Sequence, residues 1–152
     1  MGSGKSTISS ELSKALPDYV LVDRAYFKDT MLTNIKKQNR ELAITLSKEI
    51  MFFISKKLLG EGYNIILTEI RISKVKEMFG EKYPIHSFYL ECSLEECQRR
   101  DAQRQNKYDR PERVKEMHEK HAHSDKEDII IDTEKNSVKD CVGLILKQIE
   151  KK

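Results

Sequence analysis

Apolar positions along this chain fall into two alternating rhythms, and the alternation predicts the fold before any motif is considered. Ile8, Leu12, Ala15 and Leu16 recur at helical spacing over Lys5 to Ala15, and Pro17 stops the run by removing an N–H and crowding the turn before it. Tyr19-Val20-Leu21-Val22 follows as a short buried strand ending at Asp23. From about 25 to 59 the spacing is helical again, with a break expected near Asn39. Leu42, Leu46, Ile50, Phe53, Ile54 and Leu58 are predicted to share its buried face. Gly60-Glu61-Gly62 ends it. Asn64-Ile65-Ile66-Leu67-Thr68 is apolar on both faces, as a strand covered on both sides by helices should be, and it finishes at Glu69.

The second half repeats the alternation. A short helix over about 73–79 stops at Gly80, and His86-Ser87-Phe88-Tyr89-Leu90 supplies a third strand. Ser93-Leu94-Glu95-Glu96 carries the capping-box signature, so a helix is expected from there through position 104. Positions 105–110 are polar and turn-like, which predicts a short lid around 105–111, and Pro111 suits the first turn of the next helix. Ile129-Ile130-Ile131 is the last strand. Ser137, followed three places on by Asp140, caps a final helix bearing Val138, Cys141, Val142, Leu144, Ile145 and Ile149. Strands alternating with helices of these lengths predict an α/β fold: three layers, with a parallel sheet between helices.

Bulk properties narrow the class. The 152 residues are expected to form a single domain over 1–152. Hydrophobic residues at 38% and charged residues at 35% describe a highly charged globular protein, and no apolar run approaches the roughly 20 residues of a membrane span. The opening residues have no signal-peptide core, and three scattered cysteines offer no paired framework, so a cytoplasmic protein is expected. The 28 basic residues are interleaved with 25 acidic ones for a net charge of +3, and bulk charge gives no argument for nucleic-acid binding. His118, His121 and His123 only partly share a helix face and lack a carboxylate in register, so they read as helix surface rather than a metal site. Cys92 and Cys97 read as small core residues.

The chemistry-bearing motif opens the chain. Met1-Gly2-Ser3-Gly4-Lys5-Ser6-Thr7 is the second half of G-x-x-x-x-G-K-[ST], a phosphate-binding P-loop whose first glycine would sit two places before Met1. The strand delivering that loop would lie earlier still, so the sheet's first, central strand is expected to be missing from this chain. Activity is accordingly expected of the chain with that strand restored. Small residues at Gly2, Ser3 and Gly4 let backbone N–H groups curl around phosphate oxygens. Lys5 neutralises β/γ-phosphate charge, the Ser6 hydroxyl ligates Mg²⁺, and with Thr7 the loop enters a helix whose positive dipole end faces the same anion. ATP and Mg²⁺ are the cofactors this motif calls for.

Ligands in such folds sit at the carboxyl ends of the strands, where Asp23, Glu69 and Glu91 stand. Asp23 is placed to hold a Mg²⁺ water or accept a proton from an acceptor hydroxyl, and also to cap a helix at Ala25. Glu69 follows its strand as a Walker-B carboxylate would, with Thr68 in the more usual place; capping or substrate contact serves it equally well. Arg100 and Arg104 lie four apart on one helix face, with Arg99 and Arg110 nearby. Planar guanidinium groups clamp phosphoryl oxygens bidentately; the alternative is a solvated face paired with Asp101 and Glu96.

The order GSGKST, Asp after the second strand, an apolar strand near mid-chain, and then Cys92-Ser93-Leu94-Glu95-Glu96-Cys97-Gln98-Arg99-Arg100-Asp101-Ala102-Gln103-Arg104 resembles the small-molecule and nucleotide kinases of the P-loop superfamily. Adenylate kinase, shikimate kinase and chloramphenicol phosphotransferase belong to that group. The resemblance implies that Arg100 and Arg104 are the two arginines entering the lid, one near the adenine and one near the transferring phosphate. It also implies that Ile129-Ile130-Ile131-Asp132-Thr133 ends in the loop that touches the adenine. Two departures stand out: Arg24-Ala25 follows Asp23 where shikimate and gluconate kinases carry a second acid, and the lid is short with no cysteine cluster. The stretch from Asp23 to Leu59, where an acceptor is expected, has no pattern specific to one substrate. Arg24, Lys28, Arg40 and Arg71 are placed to meet an anionic acceptor such as a nucleoside monophosphate, and each also reads as surface charge.

The leading expectation is an ATP:acceptor phosphotransferase acting on a small molecule or nucleotide. A nucleotide-binding switch or decayed P-loop domain without transfer is the alternative. A kinase of polynucleotide ends is a third reading, which no row of stacking aromatics supports.

Overall fold

The computed structural model describes residues 2–68, 72–103, 111–121 and 128–150. They fall into two compact units, Leu12–Glu69 on one hand and Met1–Glu11 with Ile70–Lys152 on the other. Helix α1 (Lys5–Ala15) begins in the second of these and ends in the first.

In the unit Leu12–Glu69, strand β1 (Tyr19–Asp23) pairs in parallel with β2 (Asn64–Thr68), and the register sets Asp23 opposite Thr68. Both strands therefore end on a polar residue at the same edge. Asp23 then caps the short helix α2 (Arg24–Tyr26), accepting from Ala25 N at 2.8 Å. One π turn over Phe27–Met31 follows, closed by Leu32 N donating to Phe27 O at 3.0 Å. Such wide turns gather at functional sites. After α3 (Thr33–Gln38), Asn39 adopts an extended backbone and its side chain caps α4 (Arg40–Gly60) by accepting from Leu42 N at 3.0 Å. The expected break near Asn39 is thus a cap: one residue ends a helix and starts the next.

The predicted buried face of α4 is corrected by the structure. Leu42 is 45% and Phe53 64% exposed, whereas Ala43, Ser47, Met51 and Ser55 are fully buried. These four lie in a row four residues apart, mostly small, so α4 can approach β1, β2 and the π turn closely. The Ser47 hydroxyl donates to Ile44 O at 2.8 Å, which removes the cost of burying it.

In the other unit, α5 (Ile72–Phe79) precedes β3 (Phe88–Glu91), which pairs in parallel with β4 (Ile129–Asp132). The strand begins later than its sequence suggests, at Phe88 rather than His86; just before it, Ser87 bonds the segment leading into β4 through Ser87 Oγ to Asp128 Oδ1 at 2.5 Å and Ile129 N to Ser87 O at 3.0 Å. Helix α6 (Leu94–Ala102) packs on α7 (Pro111–His121), with Cys92, Cys97 and Val114 buried together beside Leu94. Ser137 and Asp140 form the full capping box of α8 (Val138–Ile149), as predicted. The box expected at Ser93 is only half made. Ser93 Oγ takes Glu96 N at 3.2 Å, but Ser93 N donates to Glu134 instead, because the Glu96 carboxylate is occupied by two arginines.

Among the described residues no strand bonds to both pairs, so the parallel pairing stands as two two-stranded sheets. No described helix is long and apolar enough to cross a membrane. The predicted lid, with Arg104 and Arg110, lies outside the described residues, as do Glu69 and Arg71.

The two faces of α4 separate cleanly by mutation. Ser47→Leu overpacks the buried row and is expected to cost about 1–3 kcal/mol in urea unfolding, while Phe53→Ser should stay within about 0.5 kcal/mol. Equal losses at both positions would contradict the observed face.

Candidate active site

A cavity of about 590 Å³ lies within the unit that holds the P-loop remnant, walled by that loop, α6 and the turn after β4. Its size falls inside the roughly 300–1,000 Å³ of small-molecule sites. The loop side is built by glycine geometry. Gly2 (φ 77°) and Gly4 (φ 84°) both occupy the left-handed region that side chains avoid. At Gly2 the demand is double, since a Cβ there would lie 2.8 Å from Cys97 Cα and against the Cys97 carbonyl oxygen. Gly4 instead begins α1, its carbonyl accepting from Ile8 N at 2.9 Å. Gly2, Gly4, Thr7 and Ile8 line the cavity; Ser3, Lys5 and Ser6 do not. Lys5 folds back, Nζ donating to Ser3 Oγ at 2.9 Å, and Ser6 is exposed with its carbonyl accepting from Ser9 Oγ at 3.2 Å.

The opposite wall is an ion-pair network. Glu96 accepts from Arg99 Nε and Nη2 at 2.6 Å each and from Arg100 Nε at 2.7 Å. The bonds from Arg99 first, then from Arg100, hold its carboxyl down at about 2. Arg99 stands 58% exposed at the rim, its own pKa raised chiefly by the bond to Glu96. Arg100 is more enclosed and reaches on to the last strand: Nη1 donates to Thr133 Oγ1 at 3.1 Å and Nη2 to Thr133 O at 2.7 Å. Thr133, buried, donates its own N–H and hydroxyl to Glu91 O at 2.9 and 3.0 Å. One arginine therefore ties α6 to the ends of both β3 and β4.

The turn after β4 is fixed by Asp132, whose Oδ1 accepts from Glu134 N at 2.9 Å and Lys135 N at 3.0 Å. Lys135 Nζ reaches Asp132 Oδ2 at 2.8 Å and, with its N–H, holds the Asp132 carboxyl below its ordinary value. Asn136 Nδ2 closes the turn on Asp132 O at 2.7 Å. The wall is thus held in shape by its own bonds.

Asp23 belongs to the other unit, and among the described residues its Oδ1 accepts from Ala25 N and Thr68 Oγ1, each at 2.8 Å. The capping role open to it in the sequence is realised, together with a strand-to-strand bond the sequence did not announce. Thr68 and Thr133 were placed at strand ends by the sequence, but their bonds to Asp23, Arg100 and Glu91 were not foreseen. Each is a threonine at the carboxyl end of an apolar strand, which was the available signal. Among the described residues no three Cys, His, Asp or Glu side chains gather to hold a metal ion; His118 Nε2 instead meets Cys92 O at 2.9 Å.

The residues present fit a nucleotide. The loop packs too closely for any residue but glycine at position 2, and the cavity joins it to two guanidinium groups. For Mg²⁺ the exposed Ser6 is the oxygen donor the loop offers.

A family model described as "AAA domain" matches residues 1–127. Among solved structures, a "putative kinase" from Chloroflexus aurantiacus J-10-fl superposes with a TM-score of 0.76 at 15% identity, covering 97% of this chain and 90% of that one. At that identity the likeness establishes a shared fold. No curated protein matches the chain significantly.

Two substitutions probe the walls. Gly2→Ala is expected to cost about 1–3 kcal/mol in urea unfolding, whereas Gly60→Ala, where an added methyl group meets open space, should be neutral or stabilising by up to about 1 kcal/mol. A Gly2→Ala protein as stable as wild type would contradict the close approach. Glu96, held at about 2 against an ordinary 4.5, contributes fully above pH 4.5 and loses that contribution as pH falls through about 2. Melting temperatures of wild type and Glu96→Gln should therefore differ at neutral pH and converge toward pH 2; a constant gap would overturn the assignment.

Proposed function

The chain belongs to the AAA domain family and is a P-loop kinase-like nucleotide-binding protein, and on that premise we propose that it transfers the γ-phosphoryl group of ATP to a small-molecule or nucleotide acceptor. The observation that carries this reading is the cavity joining Gly2, Gly4 and Thr7 to Arg99 and Arg100 within one unit. Backbone N–H groups of residues 2–7 bind the phosphates, and Lys5 leaves the Ser3 hydroxyl for the β/γ-phosphate oxygens. Arg100, oriented by Glu96 and Thr133, faces the nucleotide, and Arg104 stabilises charge on the transferring group. Ser6 would hold Mg²⁺, which when bound supplies neutralisation of phosphate charge. Asp23 orients the acceptor hydroxyl and takes its proton through Oδ2 while Thr68 and Ala25 fix Oδ1. The acceptor oxygen bonds to the γ-phosphorus as the bond to the bridging oxygen breaks, and ADP leaves. These roles together belong to one kinase-like domain over 1–152.

A second reading, nucleotide binding without transfer, draws on the engagement of Arg100 by Glu96 and Thr133, which suits a fixed wall as well as a phosphate clamp. Acceptor-dependent ADP release separates the two. Assayed against monophosphates, nucleosides and small alcohols, the protein should release ADP with at least one acceptor, and Lys5→Ala should lower turnover by about 10²-fold or more. Thr68→Val should lower kcat about tenfold, the loss of one bond to a charged group, with the KM for ATP unchanged. ATP binding without acceptor-dependent release, or full turnover by Lys5→Ala and Asp23→Asn, would overturn the kinase reading.

A further inference from the structure

Helix α4 is apolar on two faces, and the fold of one chain uses only one of them. The small inner row meets β1, β2 and the π turn. On the side turned away from that row, Leu42, Leu46, Glu49, Phe53, Lys56 and Gly60 follow one another at spacings of four, three, four, three and four, the seam of a coiled coil. Leu42 is exposed, Leu46 half-buried, and Phe53 64% exposed. Single exposed apolar side chains are ordinary on a protein surface. A row of them at seam spacing along a 21-residue helix is a face shaped to be covered.

The charges in the row say what covers it. Among the described residues neither Glu49 nor Lys56 makes an ion pair within the chain, and Lys57 holds its Nζ 6.0 Å from the centre of the Phe53 ring. A parallel copy of the same helix sets Glu49 against Glu49 and Lys56 against Lys56, so both polar members of the seam meet like charge. An antiparallel copy, turned about a two-fold axis at Phe53, removes both conflicts. At a rise of about 1.5 Å per residue, Glu49 lies about 6 Å to one side of that axis and Lys57 about 6 Å to the other. Each Glu49 therefore comes level with Lys57 of the second copy and adjoins its Lys56. The same operation brings Leu46, seven positions before Phe53, level with Gly60, seven after it, where an added Cβ meets nothing within 4 Å. Leu42 reaches on past the end of the second helix, where Tyr63 is exposed.

We propose that this face of α4 is the interface of a homodimer, in which a second copy of the chain packs antiparallel, Phe53 on Phe53 at the two-fold axis and Glu49 between Lys56 and Lys57 of that copy. The inference is independent of the kinase reading. A single helix pair falls short of the roughly 1,200–2,000 Å² of a standard interface, so the dimer is a weak one, with a Kd above about 1 µM. Dilute unfolding then follows the monomer, in which Phe53→Ser is neutral, while the same substitution governs association.

Sedimentation equilibrium of the whole protein, from about 5 µM to about 1 mM, reads the association directly. The mean mass should rise with concentration from the 17.8 kDa of one chain towards twice that value. Phe53→Ser should remove the rise. Glu49→Lys should raise the Kd about tenfold or more, as should Lys56→Glu together with Lys57→Glu, and the three charge reversals combined should restore the dimer. All four positions are exposed, so these variants leave the packed face of α4 untouched. A protein that stays at 17.8 kDa throughout, as it would if a different partner covers the face, overturns the proposal. So does a dimer that survives Phe53→Ser, or a triple variant that associates no better than its two charge-reversed parents, since either places the contact elsewhere or in another register.

Discussion

The contact between Gly2 and the backbone of α6 at Cys97 sets the rest of the candidate site. A chain that must pass a helix at this distance has no room for a side chain, and the left-handed φ at Gly2 imposes the same choice independently. Because the loop rests on helix backbone, its position follows the helix rather than any one rotamer. The residues just beyond that contact, Arg99 and Arg100, then share a cavity with the loop. A P-loop that floated free would present the same N–H groups without a cationic wall beside them.

That wall is held by one carboxylate and one threonine. Glu96 takes three bonds from two arginines, and Thr133 receives Arg100 while bonding back to Glu91. Charge-assisted bonds of this kind gain strength from pre-organisation, since little side-chain freedom is left to lose when a ligand arrives. Asp132 does the same for the turn after β4. In the other unit the logic repeats at smaller scale: Thr68 fixes one oxygen of Asp23 across the strand pair, and Asp29 meets both Lys28 and Lys36.

Local signals made much of this legible. The glycine spacing of the loop, the strand end at Asp23, the break near Asn39 and the Ser137–Asp140 box each depend on residues a few positions apart, and each is found where the sequence places it. What escaped depends on distance along the chain. The Thr68–Asp23 bond spans 45 positions, Arg100–Thr133 spans 33, and Glu134 completes the cap at Ser93 from 41 positions away. No periodicity encodes such partners. The face of α4 failed for a different reason: large apolar residues occur around most of that helix, so spacing alone picked Leu42 and Phe53, while close packing selected the small residues Ala43, Ser47 and Ser55. The sites assigned to Asp23, Lys5 and Ser6 likewise came from motif position, and the structure adds their immediate bonds.

The central claim is that nucleotide occupies the cavity between the loop, α6 and the turn after β4. Hydrogen–deuterium exchange with and without Mg-ATP measures it at the level of these segments. Protection rising together in residues 2–7, in Leu94–Ala102 and in residues 133–137 is the predicted result. ATP bound with no change in those three segments would contradict it.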